Sequence, residues 1–278
     1  MNLTEFIRQG LDEDIKTGDI SSMACIDEKS RSRAKLLVKE DGVLAGVELA
    51  KMIFHQVDPL MKMDIHIQDG TYVSYGDIAF EIEGSTRDLL KTERLVLNAM
   101  QRMSGIASLS RRFVHEVEDL PVKILDTRKT TPLNRDIEKW AVRIGGCTNY
   151  RDGLYDWFMI KDNHIKAAGT ITKAVQAVNH YKMKHQLQDI GITLEIKNLV
   201  ECEEALQVGN ITRIMCDNFE LPLLKEAVDM INGRFETEAS GGVSLETVRK
   251  IALCGVNFIS VGALTHSAGS LDLSLKIQ

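Results

Sequence analysis

Four basic residues on or near expected strand ends fall within about thirty-five positions of this chain: Arg128, Lys129, Arg151 and Lys161. Cations crowded in this way repel one another unless an anion of several charges shares their site, so the cluster predicts a polyanionic ligand. Two acids stand in comparable places. Glu195 ends the run TLEI and Asp217 follows the run IMC. Carboxylates at the ends of adjacent strands can hold one hard cation that keeps several waters, as Mg2+ does, and would carry the metal of a diphosphate ligand. Ser240-Gly241-Gly242 then precedes SLETV, placing two glycines between a strand and a helix that begins at Ser244. Free backbone N–H groups and the positive helix end suit an anion there, such as a sugar 5-phosphate, and Gly262 lets the backbone approach the same group. Each feature also has an ordinary structural reading. Arg128 and Lys129 could lie on a solvated loop, Lys161 could pair with Asp162, Glu195 and Asp217 could neutralise Lys161 or Lys197, and Ser244 could act only as an N-cap. Placement of all of them on one face of a fold favours the anion site.

The elements that must position these residues change character along the chain. Up to about Gly84 an opening helix is followed by alternating runs, AKLLVKE, MDIHIQ and DIAFEIEG, separated by turn signals at Asp41-Gly42, Asp69-Gly70 and Tyr75-Gly76-Asp77, which reads as an α+β region. A helical tract runs from Thr86 to about Val117, with Leu89, Leu90, Leu97, Met100 and Ile106 on its apolar face. After Pro121 short apolar strands alternate with helices, the pattern of a parallel α/β sheet or barrel. Strands are expected at Val122 to Asp126, Trp157 to Ile160, Thr193 to Ile196, Arg213 to Cys216, Phe235 to Ala239 and Phe258 to Val261. Six strands suit an incomplete barrel or an open doubly wound sheet. In either case the carboxyl ends of the strands carry the site, and every residue named above sits at such an end.

The bulk composition narrows the partners. A chain of 278 residues with 44% hydrophobic content buries a sizeable core. Its net charge of -6 and pI near 5.7 argue against nucleic acid or anionic membrane as a general partner. The five cysteines are odd in number and include no C-x-x-C pair, so neither a disulfide framework nor a zinc site is expected. No apolar signal region and no stretch long enough to span a membrane is visible, and a reducing cytoplasm is the expected setting.

Several segments together resemble a known family: GVLAG at Gly42, ERLVLN from Glu93, SGIAS from Ser104, DTRKTTP from Asp126, EKWAVRIGG from Glu138, IKDNHI from Ile160, IMCDNF from Ile214, EASGG from Glu238 and SVGALTHSA from Ser260. DTRKTTP and KDNHI carry most of the specificity, and the family is quinolinate phosphoribosyltransferase, also called carboxylating nicotinate-nucleotide pyrophosphorylase. The resemblance runs almost end to end. It implies a type II phosphoribosyltransferase fold. An N-terminal α/β sandwich domain over residues 1–107 would be rejoined by 266–278, and an incomplete six- or seven-stranded parallel α/β barrel would span 108–265. It further implies a homodimer or higher even oligomer, each barrel mouth closed by the neighbouring N-terminal domain. Arg94 of that neighbour, with Arg128, Arg151 and Lys161, would hold the quinolinate carboxylates. Lys129 and Lys161 would meet the diphosphate side, and Glu195 and Asp217 would place Mg2+ and the ribose hydroxyls of phosphoribosyl pyrophosphate. Ser240, Gly241, Gly242 and Gly262 would hold its 5-phosphate, and Lys129 or Lys161 would protonate the ring carbanion left by decarboxylation.

Three positions depart from the family pattern. Tyr150 stands where the resemblance implies histidine, and a phenol can donate a hydrogen bond to an acid but cannot carry imidazolium charge. Lys197 stands where a second acid is usual. Because residues two apart on a strand face the same side, it is expected to neutralise Glu195 and weaken metal binding, or to replace metal charge. Leu133 replaces a glycine, which matters if the loop needs a positive φ. Tyr150 and Lys197 keep open a paralogue that acts on another aromatic acid without decarboxylation, and a silent ligand-binding relative. A barrel lyase with Lys161 as Schiff-base nucleophile leaves Arg128, Arg151 and the Ser240 loop without a role.

Overall fold

The computed structural model describes residues 3–278. In chain order its elements are α1 (Leu3–Ile15), α2 (Ile20–Cys25), β1 (Arg31–Val38), β2 (Gly42–Val43), α3 (Val47–Val57), β3 (Lys62–Ile65), β4 (Tyr72–Val73), β5 (Ile78–Ser85) and α4 (Thr86–His115). There follow β6 (Lys123–Leu125), α5 (Arg135–Ile144), β7 (Phe158–Ile160), α6 (Asp162–Ala168), α7 (Ile171–His185), β8 (Ile192–Ile196) and α8 (Leu199–Val208). The chain closes with β9 (Arg213–Asp217), α9 (Leu221–Ile231), β10 (Glu236–Ser240), α10 (Leu245–Ala252), β11 (Phe258–Ser260), α11 (Ala263–His266) and β12 (Leu273–Ile277). Two compact units emerge: one takes residues up to Arg111 with Thr130–Gly146 and Leu264–Gln278, the other Arg112–Lys129 with Cys147–Ala263.

The first unit is built on a four-stranded antiparallel sheet in the order β12-β1-β5-β3. Strand alternation sets its core: Ala34, Leu36 and Val38 of β1 are buried, as are Ala79, Phe80 and Ile82 of β5. Phe54 of α3 meets Phe80 edge-on, with ring centroids 6.2 Å apart. A charged knot ties distant segments of this unit. Glu138 of α5 is fully buried and accepts from Arg102 Nε of α4 at 3.0 Å and from the Thr131 hydroxyl at 2.8 Å. Arg102 also donates to the Ala268 carbonyl at 2.7 Å. Glu138 is thus a structural partner of a basic residue.

The second unit holds six parallel strands in the order β6-β11-β10-β9-β8-β7. All six expected strands are present, their ends shifted by a residue or two. From β7 to β11 the order is sequential, and β6 lies beyond β11, so the sequence of neighbours is cyclic with one seam between β6 and β7. A doubly wound sheet reverses its order at a switch point; this one does not, and it is a barrel left open at the seam. A single parallel bridge, Leu125 to Thr148, extends past β6. Register then fixes which residues lie level. Thr193, Arg213 and Glu236 form one row, Glu195, Met215, Glu238 and Phe258 the next, and Asp217 and Ser240 the row above, toward the carboxyl ends.

Candidate active site at the carboxyl ends of the parallel strands

The residue that follows β7 is Lys161, and because Ile160 pairs with Leu194 it comes level with Glu195. Its Nζ lies 2.5 Å from Glu195 Oε2. The pair is uneven: the lysine side chain is 43% exposed and the glutamate 7%. Glu195 therefore meets Lys161, not Lys197 as the two-residue spacing suggested. The physical reason is that β8 ends at Ile196. Beyond it the backbone N–H of Lys197 donates to Glu201 at 2.7 Å, and its Nζ reaches Asp162 Oδ2 at 2.9 Å. Asp162 holds the Lys197 ammonium above its ordinary pKa, with smaller help from the charges of Glu195 and Asp217. Asp162 in turn has Lys197 and Lys166 as partners, not Lys161.

Arg128 is half-buried just past β6, and Lys129 is exposed. Burial and then the charge of Arg128 push the Arg151 guanidinium below its ordinary pKa, so these two cations lie close enough to feel each other. Arg151 also donates to the Trp157 carbonyl at 3.4 Å. The loop carrying it is pinned by Asp126, which is fully buried and accepts from the backbone N–H of Tyr150 at 2.8 Å.

Tyr150 itself points into the open barrel. Its hydroxyl is 2.5 Å from Thr193 Oγ1, two rows below Asp217 and Ser240, and its ring packs edge-on against Trp157 at 6.1 Å. The Trp157 indole N–H donates to the same threonine oxygen at 2.9 Å. Burial and the charge of Glu238 push the phenol well above its ordinary range. The hydroxyl expected to face an acid thus already has partners in the barrel interior.

Those partners belong to a buried network that sequence reasoning missed. Arg213 donates to Glu236 at 2.8 Å and to Glu238 at 3.1 Å, lies 3.7 Å above the centroid of Phe258 and also faces the Tyr150 ring. The Ser260 hydroxyl donates to Glu238 at 2.5 Å. Burial pushes the Glu238 carboxyl up, and hydrogen bonds from Ser260 and Arg213 only partly offset this. The signal was present: RIMCD and ETEAS place Arg213 and Glu238 on inward-facing alternate positions of two expected strands, where neither charge can lie buried unpaired.

The glycine loop follows β10. Gly241 and Gly242 both have positive φ, 96° and 59°. A Cβ at Gly241 would come within 2.2 Å of the Asn218 side chain, so that position requires glycine both for its backbone and for its neighbour. Ser244 is the N-cap of α10, as expected, and its backbone N–H donates to Thr247 Oγ1 at 2.9 Å. Ser240 is half-buried, with Asp217 beside it in the register, and Gly262 follows β11 by two residues.

Among the described residues no group of three or more His, Cys, Asp or Glu side chains could cage a metal. Two carboxylates, Glu195 and Asp217, on adjacent strands still suit Mg2+, which usually takes one or two carboxylates and completes its shell from substrate phosphates and water. The two histidines near strand ends are structural: His164 Nδ1 accepts from the Lys161 backbone N–H at 2.9 Å, and His266 bonds Ser267 at 2.6 Å. Arg94 lies in the other compact unit, exposed on α4.

Comparison with known proteins identifies the family and agrees with the fold. The C-terminal domain of quinolinate phosphoribosyl transferase matches residues 106–276 and its N-terminal domain matches residues 19–104. Quinolinate phosphoribosyltransferase [decarboxylating] 1b of Nicotiana tabacum is 47% identical, covering 100% of this chain and 83% of that protein. The probable nicotinate-nucleotide pyrophosphorylase [carboxylating] of Bacillus subtilis is 40% identical over 95% of this chain and 90% of its own length. Among solved structures, NadC from Streptococcus pyogenes superposes with a TM-score of 0.94 at 36% identity, covering 99% of this chain and 96% of that one. On these matches, and on a cation-lined set of parallel strand ends, the chain belongs to the quinolinate phosphoribosyltransferase family.

Proposed function

We propose that this protein transfers the phosphoribosyl group of phosphoribosyl pyrophosphate to quinolinate, releasing diphosphate and CO2 and giving nicotinate mononucleotide for NAD biosynthesis. The observation that carries the reading is the neighbouring, half-buried Arg128 and Arg151 guanidiniums, in the same compact unit as the Lys161–Glu195 pair. Two fixed, mutually repelling cations suit a ligand with two carboxylates.

Arg128, Arg151 and Lys161 bind the quinolinate carboxylates, with Arg94 supplied by a neighbouring subunit of a homodimer. Its exposure on α4 supports that assignment. The residues named by the domain reading, 1–107 with 266–278, would form the unit that covers the neighbour's site. Ser240, Gly241, Gly242 and Gly262 receive the 5-phosphate, and Lys129 takes the diphosphate side. Glu195 and Asp217 would hold Mg2+, which neutralises the departing diphosphate.

With its carboxylates held, quinolinate presents the ring nitrogen to the anomeric carbon. The C–N bond forms as the C–O bond to diphosphate breaks, through a transition state in which the sugar carries positive charge. The resulting pyridinium accepts the electron pair of the C2–carboxylate bond as CO2 leaves, and C2 then takes a proton. Lys161 is the donor we assign, because Glu195 holds its ammonium in place. A cytoplasmic setting is part of the proposal, supported by five free cysteines; among the described residues no helix is long and apolar enough to cross a membrane. Two plant relatives carry the word chloroplastic in their names.

The test is turnover with two acids. Purified protein with phosphoribosyl pyrophosphate and Mg2+ should form nicotinate mononucleotide and CO2 in equal amounts from carboxyl-labelled quinolinate. Product from nicotinate, with neither product from quinolinate, would reject the assignment.

A further inference from the structure

Lys197 is the one departure from the family pattern that brings a new cation to the strand ends. It follows the last residue of β8, and its 2.9 Å contact with Asp162 crosses to the first residue of α6, directly after Lys161. The contact joins the carboxyl ends of β7 and β8, next to the Lys161–Glu195 pair. Three features make this lysine available to a ligand. Both side chains of the pair are solvent-exposed, 47% for Lys197 and 33% for Asp162, and exposed pairs of this kind bind their partners weakly. Asp162 has a second cation, Lys166, at 3.5 Å, and its Oδ1 accepts from the Asn163 backbone N–H, so it stays neutralised if Lys197 leaves. The ammonium sits on a flexible four-carbon stem that can swing. Among the described residues no three acids, histidines or cysteines could cage a metal, and one oxygen of Glu195 is already taken by Lys161.

We propose that Lys197 is a diphosphate-binding lysine that shares charge neutralisation with Mg2+, giving up Asp162 for a diphosphate oxygen. This rests on the phosphoribosyl reading above and adds to it a lowered demand for metal. No covalent step is involved, since the lysine only exchanges one anionic partner for another.

The test is calorimetric binding of inorganic pyrophosphate to the full-length chain, once with saturating Mg2+ and once with a chelator. The wild-type chain should retain measurable binding in chelator. Lys197→Gln should weaken it there by about ten- to hundredfold, the worth of one charged hydrogen bond, and by clearly less with Mg2+ present. Lys197→Arg should restore most of the loss. Unfolding midpoints of both variants should match wild type, which separates binding from folding. Unchanged affinity of Lys197→Gln in chelator overturns the inference alone, as does an equal loss under both conditions. Failure of the wild-type chain to bind pyrophosphate even with Mg2+ overturns the phosphoribosyl reading together with it.

Discussion

Arg213 and Lys161 lie on the same six-stranded sheet and each faces a glutamate at hydrogen-bond distance, yet their surroundings differ completely. Arg213 is 7% exposed against a Glu238 with no exposure. It has a second carboxylate in Glu236 and an aromatic face in Phe258. Lys161 is 43% exposed and its partner Glu195 7%, and the Lys197–Asp162 pair at the same strand ends is open to solvent as well. Deep in the open barrel, charge is balanced within the protein and serves to hold strands together. At the carboxyl ends the pairs are open to solvent, where a ligand's charge can exchange with them. One sheet therefore supports two electrostatic regimes, even though Glu238 and Glu195 lie level in the register.

The largest expected effect breaks the interior. Arg213→Ala leaves Glu238 buried without its cation, and removing one partner of a buried pair costs about 3–5 kcal/mol. Denaturant titration should show that loss, with activity falling only as far as the folded fraction does. Lys161→Ala should do the opposite. It should lower kcat by on the order of 10² to 10³, the usual effect of deleting one group aimed at developing charge, while the unfolding midpoint stays near that of wild type. If both variants lost stability alike, the division between the two regions would fail.

Much of this was legible in the sequence. All six parallel strands, the long helix from Thr86 and the polar residues at each strand end followed from alternation and turn chemistry, which are local. What was not legible depended on direction beyond the end of an element. Lys197 was expected on the face of Glu195, but strand periodicity lapses once β8 ends at Ile196, and the side chain turns to Asp162. Leu133 illustrates the same limit. Its backbone has a φ of 68°, so the loop does need the positive φ that a glycine would supply, and the leucine bears the strain of about 1–2 kcal/mol. The Arg213 network was within reach, since Arg213 and Glu238 alternate on neighbouring strands, but their pairing depends on the register between those strands, which alternation within each does not give.

Tyr150 sits between the two regions and sharpens the boundary. Its hydroxyl is engaged by Thr193 and its ring by Trp157 and Arg213, which assigns it to the interior. Tyr150→Phe should then cost about 1–3 kcal/mol through the polar groups it leaves unpaired, with the KM for quinolinate unchanged. A raised KM at unchanged stability would instead place the phenol on the acid. The absence of an imidazole at this position also means that the KM should show no step near pH 6.5 from residue 150.

The smallest effect is expected from the exposed pair at the rim. Asp162 is held below the ordinary aspartate pKa by its hydrogen bond from Lys197, then by the Asn163 backbone N–H. A depressed folded pKa stabilises the native state at pH values above the ordinary carboxylate range, and that contribution is lost as pH falls through the folded value. Asp162→Asn should therefore differ most from wild type above about pH 4, and the two unfolding curves should converge as pH falls through the lowered folded value. Partial exposure of both side chains to solvent keeps the difference small even at neutral pH, in contrast with Arg213→Ala on the same sheet. A loss at Asp162 comparable to the one at Arg213 would show that the rim pair holds the strand ends together, and that the charge there is structural.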